Sequence, residues 1–178
     1  MKRYPSAIVF DLDYTLWPWW CDCHISPPIK KKTECRLIDS SGEVLELYKD
    51  VQSIFQELEE KNVILIGASR TATPEIAISI LSSFVINGKR MIDYFHTLQW
   101  GQHSKVRHIK KAAKELGLEQ DLLDGNLLLF DDESRNKDVT SIKCNFVLVP
   151  DNKAGLTRDV FENGINKWRL TKAEFSTC

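Results

Sequence analysis

The sequence predicts a doubly wound α/β domain built on a central parallel sheet. Three observations predict it. Four short apolar runs, AIVFD (7–11), NVILIGAS (62–69), NLLLFDD (126–132) and NFVLVP (145–150), are bounded by turn or polar residues. This is the pattern of strands buried on both faces. Helical periodicity fills the intervals between them, and alternation of strand and helix is the mark of a parallel sheet covered on both sides. Finally, acidic or hydroxyl residues close three of the runs, at the strand ends where open α/β sheets bind ligands.

Taken in order, the first run ends in Asp11 and Asp13. The rhythm then breaks over residues 17–49. Here TECRLID and GEVLELY flank Ser40–Ser41–Gly42, which reads as an antiparallel hairpin. The segment is too short to fold alone. The expected organisation is therefore one domain over 1–178 with a small loop-and-hairpin insertion at about 17–49. KDVQSIFQELEEKN follows, with Asp50 as the expected N-cap and Val51, Ile54, Phe55 and Leu58 on one face. TPEIAISILSSF carries Pro74 near its start, where a missing N–H costs little. A weaker run, YFHTLQW (94–100), precedes SKVRHIKKAAKELG, in which Ser104 is the expected N-cap and Gly117 the stop. An amphipathic stretch over 157–168 is weakened as a helix by Gly164.

Composition excludes several classes. The chain has 178 residues, 43% hydrophobic and 28% charged, with a formal net charge of -1. That balance is ordinary for a globular domain and gives no reason to expect a nucleic-acid or membrane partner, although Lys30–Lys31–Lys32 is a local basic run. No apolar run approaches the ~18 residues of a membrane-spanning helix, and the start MKRYPSAIVFDLD does not read as a secretory signal. Cys21, Cys23, Cys35, Cys144 and Cys178 are an odd, irregularly spaced set. They suggest free thiols in a reducing compartment, cytosolic or nuclear. Cys21, Cys23, His24 and Cys35 also raise a structural zinc site, but C-x-C-H with one distant cysteine is not a usual finger spacing.

The chemistry lies in placement. Asp11 and Asp13 follow the first strand, Ser69 and Arg70 the second, Asp131 and Asp132 the third apolar run, and Lys105 opens a helix. In the predicted topology they converge on one sheet edge. Carboxylates gathered in one crevice demand a counter-charge, and Mg²⁺ is a hard cation that takes oxygen ligands and commonly shares its shell with phosphate. Ser69 offers a hydroxyl donor and Lys105 a point charge to a phosphoryl group. The set implies phosphoryl transfer, in which positioning and charge neutralisation dominate. Trp17, Trp19 and Trp20 follow directly and offer either an aromatic wall for a leaving group or packing of the insertion.

The ordered motifs Asp11–Leu12–Asp13–Tyr14–Thr15, Ser69, Lys105 and Asp131–Asp132 resemble those of the haloacid dehalogenase (HAD) superfamily of phosphatases. FDLDYTLWP, ASRT, SKVRH and FDDESRN are similar to the eukaryotic magnesium-dependent phosphatases, small members with no large cap. The resemblance implies a three-layer Rossmann-like HAD fold and a Mg²⁺ cofactor. It implies Asp11 as nucleophile, forming an aspartyl-phosphate, and Asp13 as general acid and then general base. It places Mg²⁺ on Asp11, on the backbone carbonyl of Asp13 and on the Asp131–Asp132 pair, with Asp132 the first choice as direct ligand. Ser69, Arg70 and Lys105 would contact the phosphoryl group or substrate, Thr15 would order the turn, and Asn136 would support the acidic loop. The implied substrate is a phosphotyrosine protein or a sugar phosphate, and a monomer is expected. Two alternatives stay open: a phosphotransferase or mutase of the same superfamily, and a non-catalytic scaffold that binds phosphorylated ligands. A receiver domain gathers similar groups, but its lysine comes last in the chain, whereas Lys105 precedes Asp131 and Asp132.

Overall fold

The computed structural model describes residues 4–175. Cys178 and the basic residues Lys2 and Arg3 lie outside them. In chain order the elements are β1 (Ala7–Phe10), α1 (Cys21–His24), β2 (Lys30–Lys31), β3 (Leu37–Ile38), β4 (Val44–Leu45), α2 (Val51–Glu60) and β5 (Ile64–Ser69). Then come α3 (Pro74–Ser83), β6 (Val85–Ile86), β7 (Lys89–Arg90), β8 (Thr97–Trp100), α4 (Lys105–Leu116), α5 (Glu119–Leu123), β9 (Leu127–Asp131), β10 (Asn145–Leu148) and α6 (Arg158–Phe175).

The main sheet has five strands in the order β10-β9-β1-β5-β8, and every pairing is parallel. The predicted doubly wound fold is the observed one. The four continuous apolar runs supply β1, β5, β9 and β10, and the weaker run YFHTLQW supplies β8 at an edge. Side chains alternate across a strand, and each face of β1 has its own core. Ile8 and Phe10 pack in a cluster with Phe55 of α2, Ile80 of α3 and Phe161 and Ile165 of α6. Ala7 and Val9 pack with Ile109 and Ala112 of α4 and Leu122 of α5. Helices therefore cover both faces, giving three layers.

The order of β1 in this sheet positions the site. Chain connections leave β1 toward β5 on one side, and β9 lies on its other side, with Phe10 in register with both Gly67 and Phe130. The loop after β1 thus opens between the ends of β5 and β9, at the switch point where such sheets hold ligands.

The insertion is richer than a hairpin. The predicted pair β3 and β4 is joined by β2, so Lys30 and Lys31 lie on an exposed edge strand of a three-stranded antiparallel sheet. Buried Asp39 knits this insertion by accepting from the backbone N–H groups of Ser26, Ser41 and Glu43 at 2.9, 2.9 and 3.0 Å. A second ribbon, β6 and β7, turns at Asn87 (φ 50°) and Gly88 (φ 75°). Two positive φ angles in a two-residue turn are what Asn-Gly supplies at little cost.

Ser104 caps α4 as predicted, its side chain accepting from Val106 N at 3.0 Å, and Gly117 ends it in the left-handed conformation. Asp50 does not cap α2. Its backbone is helical already, and its carboxylate instead accepts from Arg158 N at 2.8 Å, at the start of α6. Gly164 does not break α6; it lets the helix approach the sheet. A Cβ there would lie 2.9 Å from both Phe130 Cε1 and Val147 Cγ2. Gly164→Ala gains helix propensity but overpacks a filled core. We expect a net loss of roughly 1–2 kcal/mol, measured as a lower urea midpoint at unchanged m-value.

Candidate active site

Asp11 begins the loop after β1, where its N–H donates to Phe130 O at 3.0 Å and so continues the ladder by one residue. The loop then reverses. Thr15 N and Leu16 N both donate to Leu12 O, and Tyr14, at φ 57°, donates to Trp17 O at 2.8 Å. Thr15 is buried and its hydroxyl lies 3.5 Å from Asp11 Oδ2, which suits the turn-ordering role expected of it.

Lys105 is the electrostatic centre. It is 1% exposed, and Nζ donates to Asp11 Oδ1 at 2.6 Å, lies 3.3 Å from Asp131 Oδ2, and also donates to the Ala68 carbonyl. Burial alone would pull its pKa down, but Asp11 and Asp131 reverse this and hold it above the ordinary value. Asp11 shifts the other way from a normal carboxylate: burial raises its pKa well above the usual range, against the pull of Lys105. Asp132 is raised to about 6, by burial and by the charge of Asp131. These shifts describe acids crowded together with one cation among them.

Asp11, Asp131 and Asp132 each bring an oxygen to a common point, all within 4.8 Å of one another. Such a cluster of hard oxygen donors fits Mg²⁺. Among the described residues it is the one group of potential metal ligands, so Cys21, Cys23, His24 and Cys35 do not converge. Cys21 is buried whereas Cys23 and Cys35 are exposed, and all of them are free thiols. The structure also separates the two aspartates that the sequence left together. Asp131 is fully buried, with Oδ1 accepting from Glu133 N at 2.8 Å and Oδ2 from Asn136 Nδ2 at 2.9 Å. Asp132 instead lines the cleft.

Asp13 also faces the cleft. Its Oδ1 accepts from Trp17 Nε1 at 2.8 Å and its Oδ2 from Cys21 N at 3.2 Å. Burial raises its pKa, opposed by those two donors, so its protonated form is favoured more than in water. Ser69 is buried beside the cleft, with Oγ accepting from Thr71 N at 3.2 Å; its own proton stays available to an acceptor. Arg70 lies at the mouth, held at 3.4 Å to the Gln102 carbonyl.

The cleft has a volume of about 300 Å³. Of the three tryptophans, Trp17 and Trp19 are buried and stacked on each other, with centroids 5.6 Å apart. Trp20 is 49% exposed and lines the opening, stacked on His24 and edge-on to Tyr14. Packing therefore accounts for two of the three, and the third forms a wall. Thr71, Glu133 and Arg135 also line the cleft. They were not singled out from the sequence, although Thr71 follows Ser69 by two residues and Arg135 follows the acidic pair closely.

His108, one turn along α4 from Lys105, is buried. Burial, then the charges of Lys105 and His103, push its pKa down to about 4. The unfolded chain takes up its proton near pH 6.5, so this group weakens the fold as pH falls from about 6.5 to 4 and has no effect above that window. A loss of roughly 2–3 kcal/mol across it is expected. His108→Leu should remove that part of the slope, read from urea titrations of both proteins at a series of pH values.

Five parallel strands with acids, a hydroxyl and a lysine at their carboxyl ends define a HAD-type hydrolase fold. A solved HAD-superfamily hydrolase from Ehrlichia chaffeensis shares that fold, with a TM-score of 0.57 over 94% of this chain and 99% of that one, at 12% identity. The acid phosphatase family model matches residues 3–171. A Saccharomyces cerevisiae protein named as a magnesium-dependent phosphatase is 37% identical over 172 residues, spanning 92% of this chain and 97% of that relative. Human magnesium-dependent phosphatase 1 is 31% identical over 172 residues, spanning 97% of this chain and 86% of that relative. The chain belongs to the acid phosphatase family of the HAD superfamily.

Proposed function

We propose that this protein is a magnesium-dependent phosphomonoesterase that works through an aspartyl-phosphate on Asp11. The single observation that carries the reading is the Asp11–Lys105–Asp131–Asp132 constellation, in which a carboxylate at the open end of β1 is steadied by a buried lysine and adjoins two further acids. The relatives named above support the phosphatase class and the metal. Asp11 and Asp132, with the Asp13 carbonyl, would hold Mg²⁺, and Asp131 would add an oxygen while anchoring Asn136 and Lys105. When bound, Mg²⁺ supplies neutralisation of charge on the phosphoryl oxygens.

The chain's own residues do the rest. Asp11 supplies a carboxylate oxygen to phosphorus as the ester oxygen leaves. Asp13 gives its proton to that leaving oxygen and then takes one from the water that attacks the aspartyl-phosphate. Ser69 donates to a phosphoryl oxygen, and Lys105 holds Asp11 in line while balancing charge. Arg70, at the mouth, meets the substrate beyond its phosphate.

The substrate reading follows from the opening. Trp20 presents an aromatic face beside the cleft, which suits the ring of a phosphotyrosine side chain. Arg70 and Arg135 at the same opening suit polar groups such as those of a sugar phosphate. Hydrolysis of para-nitrophenyl phosphate, phosphotyrosine peptides and a panel of sugar phosphates, each with Mg²⁺ and with chelator, tests the reading. Phosphate release that stops when the metal is chelated is expected. Binding of phosphorylated ligands without turnover would establish the scaffold alternative, and transfer to added alcohols the phosphotransferase one.

A further inference from the structure

We propose that Trp17 is a positioning residue for the proton-transferring carboxyl of Asp13, an inference that rests on the reading of Asp13 as general acid and base. Residues 13 and 17 form an isolated parallel bridge, closed by Tyr14 N donating to Trp17 O at 2.8 Å. That reversal brings a side chain four residues downstream back beside Asp13. The Trp17 indole N–H then donates to Asp13 Oδ1 at 2.8 Å.

The indole cannot wander. Trp17 is fully buried, and its ring stacks on Trp19 at 5.6 Å with planes 5° apart. A donor whose rotamer is fixed by packing fixes its acceptor in turn. The partner of the other oxygen is looser, since Cys21 N lies 3.2 Å from Oδ2. Both partners are N–H donors, and the shorter bond comes from the fixed indole, so Oδ1 is the anchor and Oδ2 is the oxygen that exchanges the proton. In the first half-reaction the Oδ2–H bond breaks as the proton passes to the ester oxygen leaving phosphorus. In the second, Oδ2 takes a proton from water as the water oxygen bonds phosphorus and the bond from phosphorus to Asp11 breaks. Trp17 is fully buried and does not line the cleft; it acts through Asp13.

Leaving groups differ in how much they need the acid. A para-nitrophenolate leaves without much help, whereas an alkoxide requires a proton. A residue that only packs would slow both alike. The test is kcat/KM, with Mg²⁺ present, for para-nitrophenyl phosphate and for an alkyl phosphate. It is measured in the wild type, Trp17→Phe, Asp13→Asn and the double variant. In Trp17→Phe the loss for the alkyl ester is expected to exceed that for the aryl ester by at least about tenfold. In the Asp13→Asn background, Trp17→Phe should add no further discrimination. If Trp17→Phe does not fold, 3-benzothienylalanine at position 17 keeps the shape, lacks the N–H and gives the same readout.

Equal losses for both esters in the Trp17 variants, while Asp13→Asn discriminates between them, would overturn the role of Trp17 and leave that of Asp13 standing. Equal losses in Asp13→Asn itself would overturn the reading of Asp13, and the inference with it.

Discussion

Asp11→Asn is expected to lower phosphate release by about 10⁴-fold or more while the protein stays folded. An amide cannot form the acyl-phosphate, yet it keeps an oxygen that can accept from Lys105 Nζ, now 2.6 Å from Asp11 Oδ1. The variant also loses one of three crowded acids, and burial already holds Asp11 far above the ordinary carboxylate pKa. Its thermal midpoint should equal or exceed that of the wild type. Circular dichroism melts beside para-nitrophenyl phosphate turnover check both halves. Wild-type turnover, or a collapsed fold, would contradict the assignment.

In Lys105→Met, stability is expected to change as well as activity. Lys105 is buried between Asp11 and Asp131, and removing one partner of a buried pair leaves the other charge uncompensated. The expected cost without metal is about 3–5 kcal/mol. The sign of its pH dependence follows from linkage. Without the cation, the folded-state pKa of Asp11, already raised by burial, rises further above that of the unfolded chain. The folded variant then binds extra protons, so stability is retained at acid pH and lost as pH rises through the raised value. Urea titrations near pH 5 and near pH 8 should show a small deficit at the first and a large one at the second, partly restored by Mg²⁺. An equal deficit at both values would mean that Lys105 contributes packing rather than charge. Activity should fall with it, since the nucleophile loses its orienting donor.

The sequence made the sheet and its loaded edge legible for a physical reason. Strands buried on both faces read as continuous apolar runs, and ligand-binding residues cluster where those runs end. Asp11, Ser69, Lys105, Asp131 and Asp132 stand at such ends, and the structure brings Asp11, Ser69, Lys105 and Asp132 to one opening, with Asp13 beside them and Asp131 buried behind. What escaped depended on distance along the chain. Asp50 has the composition of an N-cap, but its carboxylate satisfies Arg158 N, 108 residues away, and local pattern carries no trace of that bond. The β6–β7 ribbon did have a local signal in Asn87–Gly88; its strands, of two residues each, are too short to show alternation. Gly164 looked like a weakness in a helix because the cause, contact with Phe130 and Val147, lies on other elements. The division of Asp131 from Asp132 needed the hydrogen bonds of Glu133 and Asn136, and the tie from Trp17 to Asp13 needed the reversal at Tyr14.

Whether Asp11 itself takes the phosphoryl group is decided by trapping. Enzyme turning over substrate with Mg²⁺ is quenched with borohydride, which reduces an acyl-phosphate to an alcohol, and the peptides are sequenced by mass spectrometry. Homoserine is expected at position 11 in the wild type, none in Asp11→Asn, and none when the metal is chelated. Reduction at any other carboxylate, or brisk turnover with position 11 untouched, would contradict that assignment.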